Sequence, residues 1–327
     1  MKRPIIKKGV PAPSMAPRMG GTVDARRAVE FRELRSAGLV NRVTGRPLPF
    51  GWTVNPYRGC EMGCHYCFAR YTHEFLGFTD PREFERAIYV KRIDRARLVA
   101  ELHRARRSGL AVAMGTATDP YQPAEARHRV ARLVLEAAME VPGLRLSITT
   151  KSTLVGRDLD LLAALAGRSE VSVNVSITTL DADLARRLEP RAPRPDLRVA
   201  TLAAVARAGV TARMFVMPVL PFLTDGEESL RALFAAARDA GAAGAESNVL
   251  FLQPGARETF FAFLEAERPD LLAPYRRLYD GSAYARADYV AEIEARVRRI
   301  AAEVGIAQRR RADRPVARPA EQLALIL

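Results

Sequence analysis

Three cysteines lie in one short segment, and they are the only cysteines of the chain. Cys60, Cys64 and Cys67 form the pattern C-x3-C-x2-C, so no thiol remains for a disulfide bond elsewhere. In a cytosolic protein, three thiols at this spacing are typical of metal ligands rather than of one disulfide with a spare thiol. Gly59 and Gly63 add the backbone freedom that a short loop needs to wrap an inorganic core. The segment therefore predicts a metal centre.

The number of thiols distinguishes between two kinds of metal centre. A structural zinc ion and a closed iron–sulfur cluster each take four protein ligands. With three cysteines, an iron–sulfur cubane keeps one iron open to a small molecule, and this is the interpretation that we favour. A zinc ion instead requires a fourth ligand, from His65 or from His73. That alternative predicts a zinc-stabilised nucleic-acid-binding protein without catalysis.

The elements that must position this segment alternate between apolar strands and amphipathic helices. Six strands are predicted at residues 52–55, 110–116, 144–150, 171–178, 211–219 and 247–252, and an extra strand at 87–91. Helices are predicted at 94–108, 123–141, 157–167, 195–208, 225–242 and 255–267. Such repeats favour an α/β fold, a partial (β/α)6 TIM-like barrel, over the alternative of a doubly wound open sheet. Reactive groups should gather at the carboxyl ends of its strands.

The segments that flank this barrel carry most of the positive charge. The formal net charge is +14, of which residues 1–49 contribute +8 and residues 308–327 contribute +3. We predict a basic N-terminal arm or cap at 1–49 with one helix at 24–36, the barrel at 50–268, and C-terminal helices with a basic tail at 269–327. Basic ends suit contact with nucleic acid. The 46 arginines and 5 lysines also fit a GC-rich coding sequence, so charge alone leaves this open.

Hydropathy gives no indication of a membrane protein. No apolar run approaches the roughly 20 residues that cross a bilayer, and the first residues lack the apolar segment of a signal peptide. Hydrophobic residues make up 48% of the chain and charged residues 27%, which is ordinary for a folded domain. We therefore expect a cytoplasmic protein with no membrane partner.

Longer motifs around the cysteines resemble a known enzyme family. The cysteine pattern after a first strand, with Tyr66 just before the last cysteine, is similar to that of the radical S-adenosyl-L-methionine (SAM) superfamily. The string NPYRGCEMGCHYCFAR is followed in order by GTATDPYQPAE, TTKS, VSITTLD and LEPRAP. Over roughly residues 50–265, this set resembles the spore photoproduct lyase-like (SplB-like) branch.

The resemblance implies a partial (β/α)6 barrel in which Cys60, Cys64 and Cys67 bind a four-iron four-sulfur (4Fe-4S) cluster. SAM would chelate the open iron. An electron donor of flavodoxin or ferredoxin type would reduce the cluster, and reductive cleavage of SAM would give a 5′-deoxyadenosyl radical that abstracts hydrogen from a substrate. The cofactors supply this chemistry, and the protein positions them. The substrate is unassigned, and nucleic acid is the first candidate.

Four further residues are placed near SAM by their positions in the family's motifs. Tyr66 would contact the adenine, and Thr118 would lie near SAM. Lys151 would lie near its carboxylate or ribose, and Ser176 near its ribose. The last three also fall at or just past the ends of predicted strands, where the fold places functional groups. Asp119 has two interpretations, as a cap of the following helix or as a contact with SAM or substrate.

One departure from the branch concerns the hydrogen donor. Photoproduct lyases carry a cysteine on the second strand that returns hydrogen to the product radical, and the matching residue here is Thr116. All three thiols of the chain are already assigned to the cluster loop, and an O–H bond is too strong to donate its hydrogen readily. We therefore do not expect thymine-dimer repair. The lack of further cysteines also disfavours auxiliary clusters.

Overall fold

The computed structural model of the protein describes the backbone of residues 19–26, and residues 29–36, 38–44 and 48–308 with their side chains. The strands, in chain order, are β1 (Met19–Arg26), β2 (Val29–Arg35), β3 (Val40–Arg42), β4 (Trp52–Val54), β5 (Tyr57–Arg58), β6 (Ala87–Arg92), β7 (Val112–Met114), β8 (Arg145–Thr150), β9 (Glu170–Ser176), β10 (Thr211–Val219) and β11 (Gly244–Val249). The α-helices are α1 (Glu83–Arg86), α2 (Arg95–Arg107), α3 (Glu125–His128), α4 (Val130–Ala138), α5 (Leu159–Ala166), α6 (Ala182–Leu188), α7 (Pro195–Arg207), α8 (Glu227–Asp239), α9 (Ala256–Glu267), α10 (Leu272–Tyr279) and α11 (Ala287–Val304). Segments of 3-10 helix cover Phe68–Leu76, Thr153–Asp158 and Pro269–Leu271.

The larger sheet is the predicted barrel. Its strand order is β11-β10-β9-β8-β7-β4-β3. Six of these strands pair in parallel in the order in which they follow along the chain, and β3 joins β4 antiparallel. A doubly wound sheet reverses its order at a switch point, so that alternative is wrong and the partial (β/α)6 barrel is confirmed. Among the described residues, β11 and β3 are the edge strands and do not pair with each other, so the sheet does not close into a complete barrel.

The barrel strands have one apolar face and one face of mixed polarity. Along β8 and β9, buried side chains such as Ile148 and Val173 alternate with Ser147, Ser172 and Asn174. The apolar face packs against α5, α7 and α8. The polar side chains therefore line the concave side. A closed TIM barrel fills this space with branched apolar side chains, whereas this interior offers hydroxyl and amide groups.

The smaller sheet has the strand order β1-β2-β6-β5, and it corrects one prediction. The helix predicted at 24–36 does not form, because this segment supplies β1 and β2. β2 pairs in parallel with β6, and its Val29 and Phe31 are buried. β6 buries five of its six residues, so its backbone groups need partners on both edges. Pairing with this edge outweighs the helix propensity of the Arg- and Glu-rich segment.

The predicted helix at 123–141 is also interrupted. It forms α3 and α4, which are separated by Arg129 in a left-handed conformation with φ of 53°. The buried carboxylate of Glu125 accepts hydrogen bonds from the backbone N–H groups of Ala131 (2.9 Å) and Arg132 (3.1 Å). These bonds satisfy donors at the start of α4 that would otherwise lack partners. The break therefore follows from a buried acid that caps the second helix.

The segments outside the barrel lie against it where the structure describes them. β3, within the predicted arm, pairs with β4 of the barrel, and α11 packs against α8 and β11. Residues 1–18 of the arm and 309–327 of the basic tail lie outside the described residues, and the domain boundaries remain predictions. Among the described residues, none of the helices combines the length and the hydropathy that a membrane crossing requires.

Candidate functional site

The cysteine loop follows β5 and lies at the carboxyl end of β4. Its first residue, Gly59, has a φ of 81°, and a Cβ there would come within 2.8 Å of the Phe84 carbonyl oxygen. The same carbonyl accepts the backbone N–H of Cys60 at 2.9 Å. Gly63 has a φ of 65°. The path of the loop therefore requires glycine at its start, because any side chain would meet backbone atoms.

Two polar side chains hold the loop against the segment after β7. Thr118 Oγ1 donates to the Gly59 carbonyl at 2.6 Å. Gln122 Nε2 donates to the same carbonyl (3.2 Å) and to Thr118 Oγ1 (3.0 Å), while Gln122 Oε1 accepts the backbone N–H of Glu61 (2.9 Å). Gln122 is fully buried. Sequence reasoning missed it, because nothing in its local sequence indicates a partner about sixty residues away.

Arg70 supports the loop from its other end. Its guanidinium is fully buried and donates to the carbonyl oxygens of Cys64 (2.9 Å) and Pro81 (2.9 Å). It also forms an ion pair with Glu85 at 2.6 Å. Because its donors have fixed directions, the buried guanidinium holds the geometry of the loop, and it also places a positive charge beside the loop. Arg70 was not predicted, since one arginine gives little signal in so arginine-rich a chain.

The three thiols themselves are withdrawn from solvent. Cys60 and Cys64 are buried, and Cys67 is half-buried. Burial raises the pKa of each thiol, and that of Cys64 to about 12. Thiolates in such surroundings need a bound cation to compensate their charge, and their deprotonation is then coupled to metal binding. A set of three soft thiolate donors on one loop fits an iron–sulfur cluster.

The two histidines, either of which was predicted to complete a zinc site, have contacts elsewhere. The ring of His65 stacks on Phe263 with centroids 5.1 Å apart. His73 Nε2 lies 2.8 Å from the Ala87 carbonyl oxygen, and its ring packs against Phe84. Within the part of the chain that the structure describes, no three His, Cys, Asp or Glu side chains, the three cysteines included, lie close enough together to hold one metal ion. The side chains that the zinc alternative requires therefore have other contacts.

Tyr66 and Lys151 meet at the buried carboxylate of Glu189. The Tyr66 hydroxyl donates to Glu189 and lies 3.0 Å from Thr178 Oγ1. Lys151 Nζ lies 3.5 Å from Glu189 Oε1 and 5.7 Å from the centre of the Tyr66 ring. The structure thus brings together two of the predicted residues, which are separated by 85 positions. Glu189, which joins them, was noted in the sequence only as part of a motif.

Glu189 is in turn paired with Arg198. Burial alone would raise the pKa of Glu189, but Arg198 and then Lys151 outweigh it and hold this pKa at about 2. Arg198 also donates to the carbonyl oxygens of Ser176 (3.2 Å) and Pro193 (2.7 Å). Glu189 is therefore ionised at neutral pH. Together the pair connects the end of β9 with the last turn of the cysteine loop.

The remaining predicted residues lie at the strand ends, as the fold requires. Ser176 is the last residue of β9 and is buried. Asp119 accepts hydrogen bonds from Thr150 Oγ1 (2.6 Å) and from the backbone N–H groups of Tyr121 (2.9 Å) and Lys151 (2.7 Å). These bonds favour the structural interpretation of Asp119, since its carboxylate joins the ends of β7 and β8.

Thr116, which the motif resemblance matches to the cysteine of the photoproduct lyases, lies two residues past the end of β7. Its Oγ1 accepts a hydrogen bond from Asn55 Nδ2 at 3.1 Å, and Asn55 Oδ1 accepts the backbone N–H of Ala117 at 2.9 Å. Thr116 is half-buried. Its hydroxyl therefore belongs to a hydrogen-bonded group between the ends of β4 and β7.

Comparison with known proteins assigns a family and gives relatives. The model of the radical SAM superfamily matches residues 54–234. An uncharacterized protein of Mycobacterium tuberculosis is 38% identical over 299 residues, which cover 91% of this chain and 86% of that protein. An uncharacterized protein of Methanocaldococcus jannaschii is 27% identical over 176 residues, which cover 54% of this chain and 63% of that protein.

The solved structures of spore photoproduct lyase have the same fold. A mutant with bound AdoMet and dinucleoside spore photoproduct superposes with a TM-score of 0.64 at 17% identity, over 91% of this chain and 85% of that chain. A complex with dinucleoside spore photoproduct gives a TM-score of 0.64 at 18% identity, over the same shares of both chains. At this level of identity, the similarity is one of fold.

Proposed function

Because the chain belongs to the radical SAM superfamily, we propose that Cys60, Cys64 and Cys67 hold a 4Fe-4S cluster with SAM bound beside it. When bound, this pair supplies the electron transfer that cleaves SAM and yields the 5′-deoxyadenosyl radical, which abstracts hydrogen from the substrate. The observation that carries the proposal is the placement of all three thiols on one buried loop at the carboxyl ends of the barrel strands.

The chain's own residues supply binding and orientation. Lys151 presents an ammonium group beside the loop, and we assign it to the carboxylate or ribose of SAM, with Ser176 near the ribose. Tyr66 is anchored through its hydroxyl, so its ring and backbone have a defined orientation for an adenine. The Thr118 hydroxyl donates its hydrogen bond to the Gly59 carbonyl, so we assign Thr118 as a positioning residue that acts through the loop. Such preorganisation limits the positions that SAM can adopt.

The concave side of the barrel is the proposed substrate cavity. Asn174 Nδ2 donates to Ser147 Oγ (2.9 Å) and to the Ile148 carbonyl (3.1 Å). These two hydrogen bonds fix the orientation of the Asn174 amide group. A polar interior suits a substrate with many hydrogen-bonding groups. We assign nucleic acid as the first candidate, supported by the net charges of +8 and +3 on the two ends of the chain. A flavodoxin or ferredoxin-type protein is the proposed electron donor.

The return of hydrogen should differ from that in photoproduct lyases. The Thr116 hydroxyl is hydrogen-bonded with Asn55, and no cysteine of this chain lies outside the cluster loop. We infer that the product radical does not recover hydrogen from a protein thiol. Thymine-dimer repair is therefore not the proposed reaction.

Anaerobic reconstitution of the full chain with iron and sulfide tests the proposal. We expect a brown protein that forms 5′-deoxyadenosine from SAM after reduction, and a Cys64→Ala variant that folds but lacks both colour and turnover. Arg104→Gln, an exposed change on α2, serves as the matched control and should behave as the wild type. A colourless protein that binds one zinc ion tightly, or a Cys64→Ala variant that still forms 5′-deoxyadenosine, would contradict the proposal.

A further inference from the structure

A separate cavity lies between the two sheets, next to the start of the cysteine loop. Its volume is about 80 Å³. It is lined by Leu34, Ser36, Gly38, Asn41, Thr53, Asn55, Tyr57, Arg58, Thr72, Lys91 and Ala117. One water molecule needs roughly 10–15 Å³ of cavity volume, so the cavity has room for a small polyatomic ion. None of the residues assigned above to SAM or the cluster lines it.

Two cations face this cavity from neighbouring strands. Arg58 of β5 pairs directly with Tyr89 of β6, and Lys91 lies two residues further along β6 on the same face. The proximity of Arg58 and Lys91 is also evident in their electrostatics, because burial and then Arg58 lower the pKa of Lys91 to about 7. Lys91 is 8% exposed. The two positive groups therefore share one partly enclosed space.

Neither cation has a counter-ion in the described part of the chain. No ion pair or side-chain hydrogen bond joins Arg58 or Lys91 to any residue that the structure describes. Two like charges removed from water without an acidic partner destabilise the fold unless something neutralises them. Lys91 and Lys151 are the only lysines beyond residue 8 in a chain with 46 arginines.

The other residues that line the cavity are uncharged, and several of them are polar. Asn41, Thr53, Asn55 and Thr72 contribute amide and hydroxyl groups to its wall. A guanidinium binds phosphate oxygens in a bidentate manner, and an ammonium adds a compact point charge. Two cations among several polar donors match a tetrahedral oxyanion, which has more acceptor oxygens and more charge than a carboxylate. The chemistry of the wall thus favours phosphate.

We propose that Arg58 and Lys91 form a binding pocket for a phosphate group of the substrate. That this phosphate belongs to the substrate of an enzyme rests on the proposed function. Asn55 and Ala117 line the cavity just beyond the carboxyl ends of β4 and β7, the edge from which the cysteine loop starts. A phosphate held there leaves the rest of the molecule free to extend over the barrel mouth. The pocket assigns the substrate to the phosphorylated compounds, as a nucleotide or a nucleic acid.

Phosphate binding to the full-length protein tests this pocket without any need for turnover. Isothermal calorimetry and thermal unfolding are measured with inorganic phosphate, a nucleoside 5′-monophosphate and a single-stranded oligodeoxynucleotide. The variants are Lys91→Met and Lys91→Gln, with Arg104→Gln as a control that removes one exposed positive charge elsewhere. In the wild type and the control, inorganic phosphate should bind and raise Tm. Both Lys91 variants should lose about tenfold or more in affinity.

The anion-free Tm separates a binding lysine from a structural one. Without phosphate, Lys91→Met should raise Tm, because it removes an uncompensated buried charge. Equal phosphate affinity in wild type and Lys91→Met, or a lower anion-free Tm of that variant, would overturn the pocket. Weaker SAM binding by Lys91→Met would overturn its assignment to the substrate. Whichever of the oligonucleotide and the monophosphate binds more tightly is identified as the class of compound that supplies the phosphate group. Binding of inorganic phosphate but of neither nucleotide ligand would overturn the substrate assignment. Phosphate binding by a protein that forms no 5′-deoxyadenosine would leave the pocket and refute the proposed function.

Discussion

The carboxylate of Glu189 and the guanidinium of Arg198 form an ion pair in which both side chains are almost completely buried, with exposures of 2% and 1%. Three elements meet at this pair. Tyr66 of the cysteine loop donates to Glu189, and Arg198 of α7 donates to the carbonyl at the end of β9. The pair therefore transmits the position of the barrel strands to the loop that carries the thiols.

Breaking this pair should destabilise the protein strongly. Glu189→Gln leaves the buried charge of Arg198 uncompensated, so we expect the free energy of unfolding to fall by about 3–5 kcal/mol. Chemical denaturation of Glu189→Gln, Arg198→Met and the double variant measures this cost, and the double variant should lose less than the sum of the singles. The exposed pair of Arg194 and Asp196 is the control, and its removal should cost less than about 1 kcal/mol. Equal costs for the two pairs would refute the structural role of Glu189.

A side chain at Gly59 should disturb the cysteine loop itself. Gly59 and Gly77 have similar φ values, 81° and 84°, but a Cβ at Gly59 would clash with the carbonyl oxygens of Phe84 and Ala87, whereas at Gly77 it meets nothing within 4 Å. Gly77→Ala should therefore cost only the backbone strain of about 1–2 kcal/mol. Gly59→Ala should cost more and should also lower the iron bound per chain after reconstitution. Equal iron content in the two variants would contradict the link between Gly59 and the loop.

Thr118→Val distinguishes between two roles of that threonine. If its hydroxyl positions the loop through the Gly59 carbonyl, the variant should lose about 1 kcal/mol of stability and release iron faster to a chelator, with SAM affinity little changed. A direct contact with SAM predicts the reverse pattern, weaker SAM binding with unchanged iron release. Thr201→Val is the matched control, because Thr201 also donates its hydroxyl hydrogen to a backbone carbonyl, that of Leu197, but within α7.

The charge on Lys91 should make folding stability depend on pH. Its pKa of about 7 in the fold lies below its ordinary value of 10.5, so between these values the unfolded chain binds more protons and stability rises with pH. The slope attributable to this one group is at most about 1.4 kcal/mol per pH unit. Tyr57 and Arg58 line the same cavity, and Tyr89 lies opposite Arg58 on the same strand as Lys91, so these titratable side chains are the neighbours of Lys91. Subtracting the profile of Lys91→Met, measured by denaturation across this range, isolates the contribution of Lys91.

Saturating sulfate should change that profile in a defined direction. The anion favours the protonated form of Lys91, so it should move the rising part of the difference profile to higher pH. Sulfate keeps a constant charge across this range, which removes the titration of the ligand from the comparison. A difference profile that is flat without sulfate would show that burial does not lower the pKa of Lys91.

The spacing of Cys60, Cys64 and Cys67, and the positions of Lys151 and Ser176 at strand ends, follow from the sequence alone. Both depend on local order along the chain: ligand spacing within one loop, and the alternation of strands and helices that forces a parallel barrel. The family comparison supports the same chemistry. Strand 211–219 was predicted with the bounds that the structure shows, because its run of apolar residues is long and is flanked by glycine-containing turns.

Only the tertiary structure decided which distant residues meet. The segment at 24–36 forms strands instead of a helix because β6 has an edge to be paired, a condition that lies outside the segment. Arg198 approaches Glu189, and Arg58 approaches Lys91, because separate elements bring them together. Long-range contacts of this kind depend on packing and on the satisfaction of buried groups, which no local pattern encodes. The sequence by itself thus determined the spacing of the thiols in the cysteine loop, and the fold decided which side chains hold that loop and which buried cations have no acidic partner among the described residues.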